Sequence, residues 1–199
     1  MTAPVAAPSY NRLNVLVGMA NCYVQPYNPL VPAALPSDLI ALNGVWASPW
    51  VPIGATDQGL SFEFQRKTTN IMIEEQQTPV QVTSDATDIM AVVDLAEDSL
   101  QTMLWAFGGG TITAIAAAPT QPAMSVLQIH SNLDQFAFGF EGTDPAGYYR
   151  RVLAQPCVSA GKVDAKFRRA AGKRMYQTSF TYMNALENLM IREMTGPHT

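Results

Sequence analysis

Leu60-Ser61-Phe62-Glu63-Phe64-Gln65 decides how this chain is read. Apolar residues at 60, 62 and 64 alternate with polar ones at 61, 63 and 65. Side chains on a strand point to opposite faces with period two, so the hexapeptide predicts a strand with one buried and one wettable face. The alternation returns twice. Phe136, Phe138 and Phe140 are spaced by Gln135, Ala137, Gly139 and Glu141, and Tyr176, Thr178, Phe180 and Tyr182 by Met175, Gln177, Ser179 and Thr181. Segments of this kind predict a mainly β chain of α+β type, with two packed antiparallel sheets, sandwich- or barrel-like, and long loops.

Outward from these segments, strands are expected at about 14–25, 59–67, 69–75, 78–84, 88–95, 111–117, 124–130, 135–141, 147–155 and 174–183. One helix is expected at about 97–107. Leu100, Met103, Leu104 and Phe107 lie on one stripe, Asp94, Glu97 and Asp98 supply negative charge at its N-terminal end, and Gly108-Gly109-Gly110 closes it. Residues 185–194 (ALENLMIREM) fit a short helix or another strand, the spacing of Leu186, Leu189 and Met190 favouring helix. Pro26, Pro29, Pro32 and Pro36, then Asn43-Gly44, make 26–57 a long Pro-rich loop, expected to reach a neighbour. Residues 1–13 read as a flexible N-terminal arm and 14–199 as a single β domain.

Composition narrows the function. The chain has 199 residues, 48% hydrophobic and only 14% charged, a balance that suits one sizeable core or a surface partly covered by partners. Net charge is −4 but unevenly spread: three basic and thirteen acidic residues in 1–149 (−10), nine basic and three acidic in 150–199 (+6). Halves of opposite sign can attract copies head to tail. No window approaches the roughly 20 apolar residues of a membrane span, and the N-terminal stretch lacks the pattern of a signal peptide. Cys22 and Cys157 fit neither a disulfide framework nor a zinc site and read as small core residues, in keeping with synthesis in a reducing cytoplasm. His130 and His198 are the only histidines, and no nucleophile elbow or metal spacing accompanies them, so neither an enzyme nor a cofactor is expected. Glycines 108–110 follow a helix instead of opening one, which argues against a phosphate cradle. The run Lys162, Lys166, Arg168, Arg169, Lys173 and Arg174 reads as an exposed loop whose charge meets an acidic neighbour.

Three stretches carry a resemblance: Leu16-Val17-Gly18-Met19-Ala20; Trp50-Val51-Pro52-Ile53-Gly54-Ala55-Thr56-Asp57-Gln58-Gly59 leading into the Phe62/Phe64 strand; and Leu95-Ala96-Glu97-Asp98-Ser99-Leu100 leading into a helix that ends in glycines. In this order they resemble the major tail tube protein of long-tailed (siphovirus-type) bacteriophages, over roughly 14–110 and again at the strand 174–183. The resemblance implies a non-enzymatic virion protein, made in the bacterial host cytoplasm. Such proteins self-assemble into hexameric rings whose inner sheets join into one barrel, and the rings stack into the tube that conducts DNA during ejection. Its partners would be further copies of itself, the tail terminator, tape measure and baseplate proteins, and passing double-stranded DNA held without specific binding; no membrane is involved. Glu63, Gln65, Gln177 and Ser179 are the lumen-lining candidates. Subunit-contact candidates are Trp46 and Trp50 in the Pro-rich loop, Arg66, Lys67, Glu74 and Glu75 in a 66–77 hairpin, and Lys166, Arg168 and Arg169 in the basic run. The tube of a contractile injection system would share the fold. A monomeric small-molecule-binding β-barrel, its cavity lined by Trp105, Tyr148 and Tyr149, is the rival from another class.

Overall fold

The computed structural model describes residues 20–36, 46–54, 56–71, 81–97, 99–143, 149–160, 163, 176–183 and 189–193. The N-terminal arm and Glu74, Glu75, Lys166, Arg168 and Arg169 lie outside them. The elements are β1 (Asn21–Pro26), β2 (Val51–Pro52), β3 (Thr56–Ile71), β4 (Gln81–Leu95), α1 (Leu100–Ala106), β5 (Thr111–Ile115), β6 (Met124–Gln128), β7 (Phe136–Thr143), β8 (Tyr149–Ser159), β9 (Tyr176–Tyr182) and β10 (Leu189–Glu193). The fold is mainly β, with one helix among the described residues and two antiparallel sheets. The larger has eight strands in the order β2-β1-β7-β8-β9-β4-β3, with β10 also paired to β8; the smaller is the β5-β6 hairpin.

The period-two faces meet as expected. Phe62, Ala91 and Phe180 lie in one row across β3, β4 and β9. Val24, Phe138 and Ala154 form another across β1, β7 and β8. The sheet coils so far that Phe62 comes within 5.3 Å of Phe140, although three strands separate β3 from β7. Phe138 stacks on Phe180 at 5.0 Å, and Ile53, Ile89, Val93, Leu95, Trp105 and Tyr176 complete the core inside the coil. Strand twist drives this curling. A β-bulge adds to it: Phe136 pairs with Cys157 and Phe138 with Ala154, leaving Gln155-Pro156 as the extra length on β8. Pro156 has no N–H to give the ladder, so the bulge is where it is tolerated.

Helix α1 closes the coil. Ser99 caps its start by accepting the Thr102 N–H at 3.0 Å. Asp94, expected near this end, belongs to β4. At the other end Gly109 N–H donates to Leu104 O and Gly108 N–H to Trp105 O, a Schellman closure that needs the left-handed Gly108 (φ 82°). The exit also needs glycine because a Cβ on Gly109 would run into the Asp134 carboxylate, which accepts from Gly110 N–H at 3.0 Å.

Three expectations change. The four strands expected between 59 and 95 are two long ones, β3 and β4. Residues 60–71 contain neither Gly nor Pro, so nothing breaks β3 over that span, and only a register shift marks Lys67/Thr68. Residues 189–193 are a strand: Leu189, Met190 and Ile191 pair with Ala154, Leu153 and Val152, and edge pairing outweighs the helical spacing. Phe64, on the core-side face, is 45% exposed, because β9 pairs with β4 only over residues 90–95 and the core ends there.

Both cysteines are buried, and burial pushes the Cys22 and Cys157 thiols from an ordinary 9.0 up to about 12. Above pH 9 the unfolded chain releases thiol protons that the folded chain keeps. Stability should therefore be unaffected by these groups below pH 9 and fall as pH rises from about 9 towards 12. Urea melts at pH 7.5 and 10.5 should show the loss, and Cys22→Ala/Cys157→Ala should lose less; equal losses would contradict the assignment.

Candidate assembly surface

The register fixes which polar residues share a face. Ser61, Val92 and Ser179 form one row, Glu63, Met90 and Thr181 the next, with Gln65 beside Asp88 and Asp94 beside Gln177. All lie on the side of the sheet opposite the core. Glu63, Gln65, Asp88 and Gln177 are exposed, and Ser179, Met90, Val92, Asp94 and Thr181 half-buried. The four lumen candidates thus stand together on one open, polar to acidic face. Lys67 joins it, its Nζ 2.7 Å from the Asp88 carboxylate, both side chains more than half exposed. A pair this wet contributes under about 1 kcal/mol, but it neutralises the one described cation on this face. Arg66 pairs with Thr87 in the same ladder.

On β1, β7 and β8 the same side of the sheet is covered. There Tyr23, Gly139 and Leu153 share a row, as do Asn21, Glu141 and Arg151. Residues 27–36 and 46–50 fold back over them as a strap. Trp46 stacks on Tyr23 at 4.3 Å and meets Trp50 edge-on at 5.1 Å, forming a second core with Leu35, Ala137 and Leu153. Arg151 and Glu141, 0% and 1% exposed, form a buried ion pair: Arg151 Nε lies 3.1 Å from Glu141 Oε2. The same oxygen accepts from Trp46 Nε1 at 3.1 Å, and the guanidinium sits 5.9 Å from the Trp46 ring centre. Pro36 O accepts from Arg192 at 3.0 Å and Arg151 at 3.4 Å. Gln155 binds both Ala33 N–H and Ala33 O at 2.8 Å, and Trp50 Nε1 donates to Ala34 O at 3.2 Å. Strap carbonyls that would otherwise lack partners are thereby satisfied. Burial raises the Tyr23 phenol, and the Glu141 carboxylate beside it adds to the effect.

Two sequence expectations are corrected here. Trp46 and Trp50 are not presented to a neighbour; they are 1% and 8% exposed and anchor the strap to its own sheet. The Ala137/Gly139/Glu141 face of β7 is not wettable but the floor of a second core. The signal was present in the small residues. A Cβ on Gly139 would stand 2.6 Å from Trp46 Cζ3, so glycine there reports a close approach.

Elsewhere the chemistry is sparse. Among the described residues no group of three or more His, Cys, Asp or Glu could hold a metal ion, and none of their helices is long and apolar enough to cross a membrane. His130 Nε2 lies 3.1 Å from Thr111 Oγ1 in an exposed position. Trp105 borders a cavity of about 520 Å³ with Val24, Tyr27, Leu104, Asp134 and Phe136. Gln25, whose buried Oε1 finds no partner among the described residues, lines another of about 380 Å³ under the strap. No protein-family model matches the chain, and no curated protein is detectably similar to it in sequence.

Removing one partner of a buried ion pair costs about 3–5 kcal/mol, because the other charge stays behind. Arg151→Met should lower the melting temperature sharply, and Glu141→Leu/Arg151→Met should recover most of the loss. A double variant as unstable as the single would show that the loss does not come from a buried charge left unpaired.

Proposed function

We propose that this chain is a structural subunit that self-assembles into stacked rings forming a bacteriophage tail tube, with the open face of β3, β4 and β9 lining the bore. The observation that carries this reading is the asymmetry of one sheet face. Half of it is sealed by a strap held with a buried ion pair, and the other half, bearing Glu63, Gln65, Asp88, Asp94 and Gln177, is left to water. Closing a sheet into a ring with its neighbours removes exposed edges and makes such a face an inner wall. Lys67 being matched by Asp88, Glu63 and Asp94 leave that wall net negative. Phosphates passing within a Debye length of about 8 Å are repelled instead of captured.

The long β3-β4 ribbon fits the same reading. Below the row of Met90, residues 64–71 and 81–89 continue as two strands without a third described beside them. Eight residues at about 3.3 Å each make an arm of roughly 26 Å. A two-stranded ribbon is marginal in water by itself. Docked onto an adjacent ring it gains the cover it lacks, including for Phe64 and Ile71, 45% and 44% exposed.

The test is electron microscopy of the purified chain at high concentration: rings or tubes with a central bore are expected, and a compact monomer would contradict the proposal. Glu63→Lys/Gln65→Lys should change folding stability by no more than about 0.5 kcal/mol, since both sites are exposed. The assembled variant should retain double-stranded DNA in co-sedimentation at low salt where the parent does not. Loss of folding in that variant would mean the face is not open.

A further inference from the structure

A carboxylate stands at the cavity beside Trp105 with no cation to answer it. The cavity, about 520 Å³, lies between α1, the end of β1 and the start of β7, and its wall includes Val24, Leu104 and three rings, Tyr27, Trp105 and Phe136. That volume falls within the roughly 300–1,000 Å³ of clefts that hold small molecules. Every segment lining it is poor in charge. Of Asp, Glu, Lys and Arg, residues 13–56 contain only Asp38, and residues 99–140 contain only Asp134, which lines the cavity. No Lys or Arg is among the described lining residues, and none of the described cations pairs with Asp134.

The helix exit fixes this carboxylate. The Asp134 backbone N–H donates to Gly108 O at 2.8 Å, and its Oδ2 accepts from Gly110 N–H at 3.0 Å. Gly109 passes so close that a Cβ there would collide with the side chain. Nearby, Tyr27 N–H donates to Gln135 O at 2.9 Å, which ties the end of β1 to the residue after Asp134. One backbone donor leaves most of the acceptor capacity of a carboxylate unused. Asp134 is half-buried against an apolar wall, where an opposite charge is attracted more strongly than in bulk water.

We infer that this cavity binds a small organic cation, a protonated amine on an apolar or aromatic body, with Asp134 pairing the ammonium. The charge selects the head group: an anion is repelled, and a neutral donor makes a weaker hydrogen bond than an ammonium does. The rings select the body, since Trp and Tyr attract cations and all three rings take apolar surface. None of these residues belongs to the open Glu63/Gln177 face, so the inference is independent of the tube reading.

Calorimetric titration of the full chain with three probes of similar shape tests it: 2-phenylethylamine, 2-phenylethanol and phenylacetate, at neutral pH and low salt. The amine should bind about tenfold more tightly than the alcohol, and phenylacetate should not bind. Asp134→Asn keeps an oxygen for Gly110 N–H and should melt with the parent, yet should bind amine and alcohol alike. Gln101→Lys, at an exposed lining position, should supply the missing cation and weaken amine binding in the same way. Equal affinity of the parent for amine and alcohol, no binding of the amine, or an undiminished amine preference in Asp134→Asn would each overturn the inference. The first two outcomes need no variant, so a misfolded Asp134→Asn does not shelter it. A chain that forms no tubes leaves this inference standing, and tubes without amine binding sink it alone.

Discussion

One buried ion pair divides this molecule into what is sealed and what is open. Glu141 and Arg151 face each other across β7 and β8 on the side of the sheet away from the main core, where charge is tolerated only with full compensation. Compensation comes from the strap: the Trp46 indole N–H, the Pro36 carbonyl and the Trp46 ring all converge on the pair. Among its described residues the strap has no regular ladder beyond β2, and it hydrogen-bonds to Arg151, Gln155 and Arg192 instead. The covering is specific to β1, β7 and β8 and stops short of β9, β4 and β3.

That boundary gives the sheet two characters on one side. Where the strap lies, small residues at 137 and 139 let two tryptophans approach the backbone. Where it does not, the rows carry Glu63, Asp88, Asp94 and Gln177. The opposite side is mainly apolar, with Thr178 and Ser159 buried in it, and coils around one core closed by α1. A domain with one closed side and a half-open, acidic other side is suited to forming a wall.

Much of this was legible in the chain. Alternation at 60–65, 136–141 and 176–182 gives the strands and their faces directly, because a period of two leaves one choice of side. The three glycines mark the helix exit through local geometry alone, whereas its start was read at about residue 97, before Ser99, which caps it. The strap was not legible, because its anchors are far apart in sequence: Gln155 holds Ala33 across 122 residues, and Arg192 holds Pro36 across 156. Periodicity reports which face a residue takes, not what covers that face. For the same reason Glu141 reads as solvated, though it is among the most buried groups. Residues 189–193 misled because five residues are too few to separate a helical stripe from an edge strand.

The proposed tube places the Glu63/Gln177 face on the inner wall of a closed assembly. An electron cryomicroscopy map of the assembled chain at side-chain resolution tests this most directly. Glu63, Asp94 and Gln177 are expected around a central solvent-filled bore, with the strap on the far side of each subunit's sheet from the main core. Finding those side chains packed against a neighbour, or on the outer surface of the particle, would contradict it.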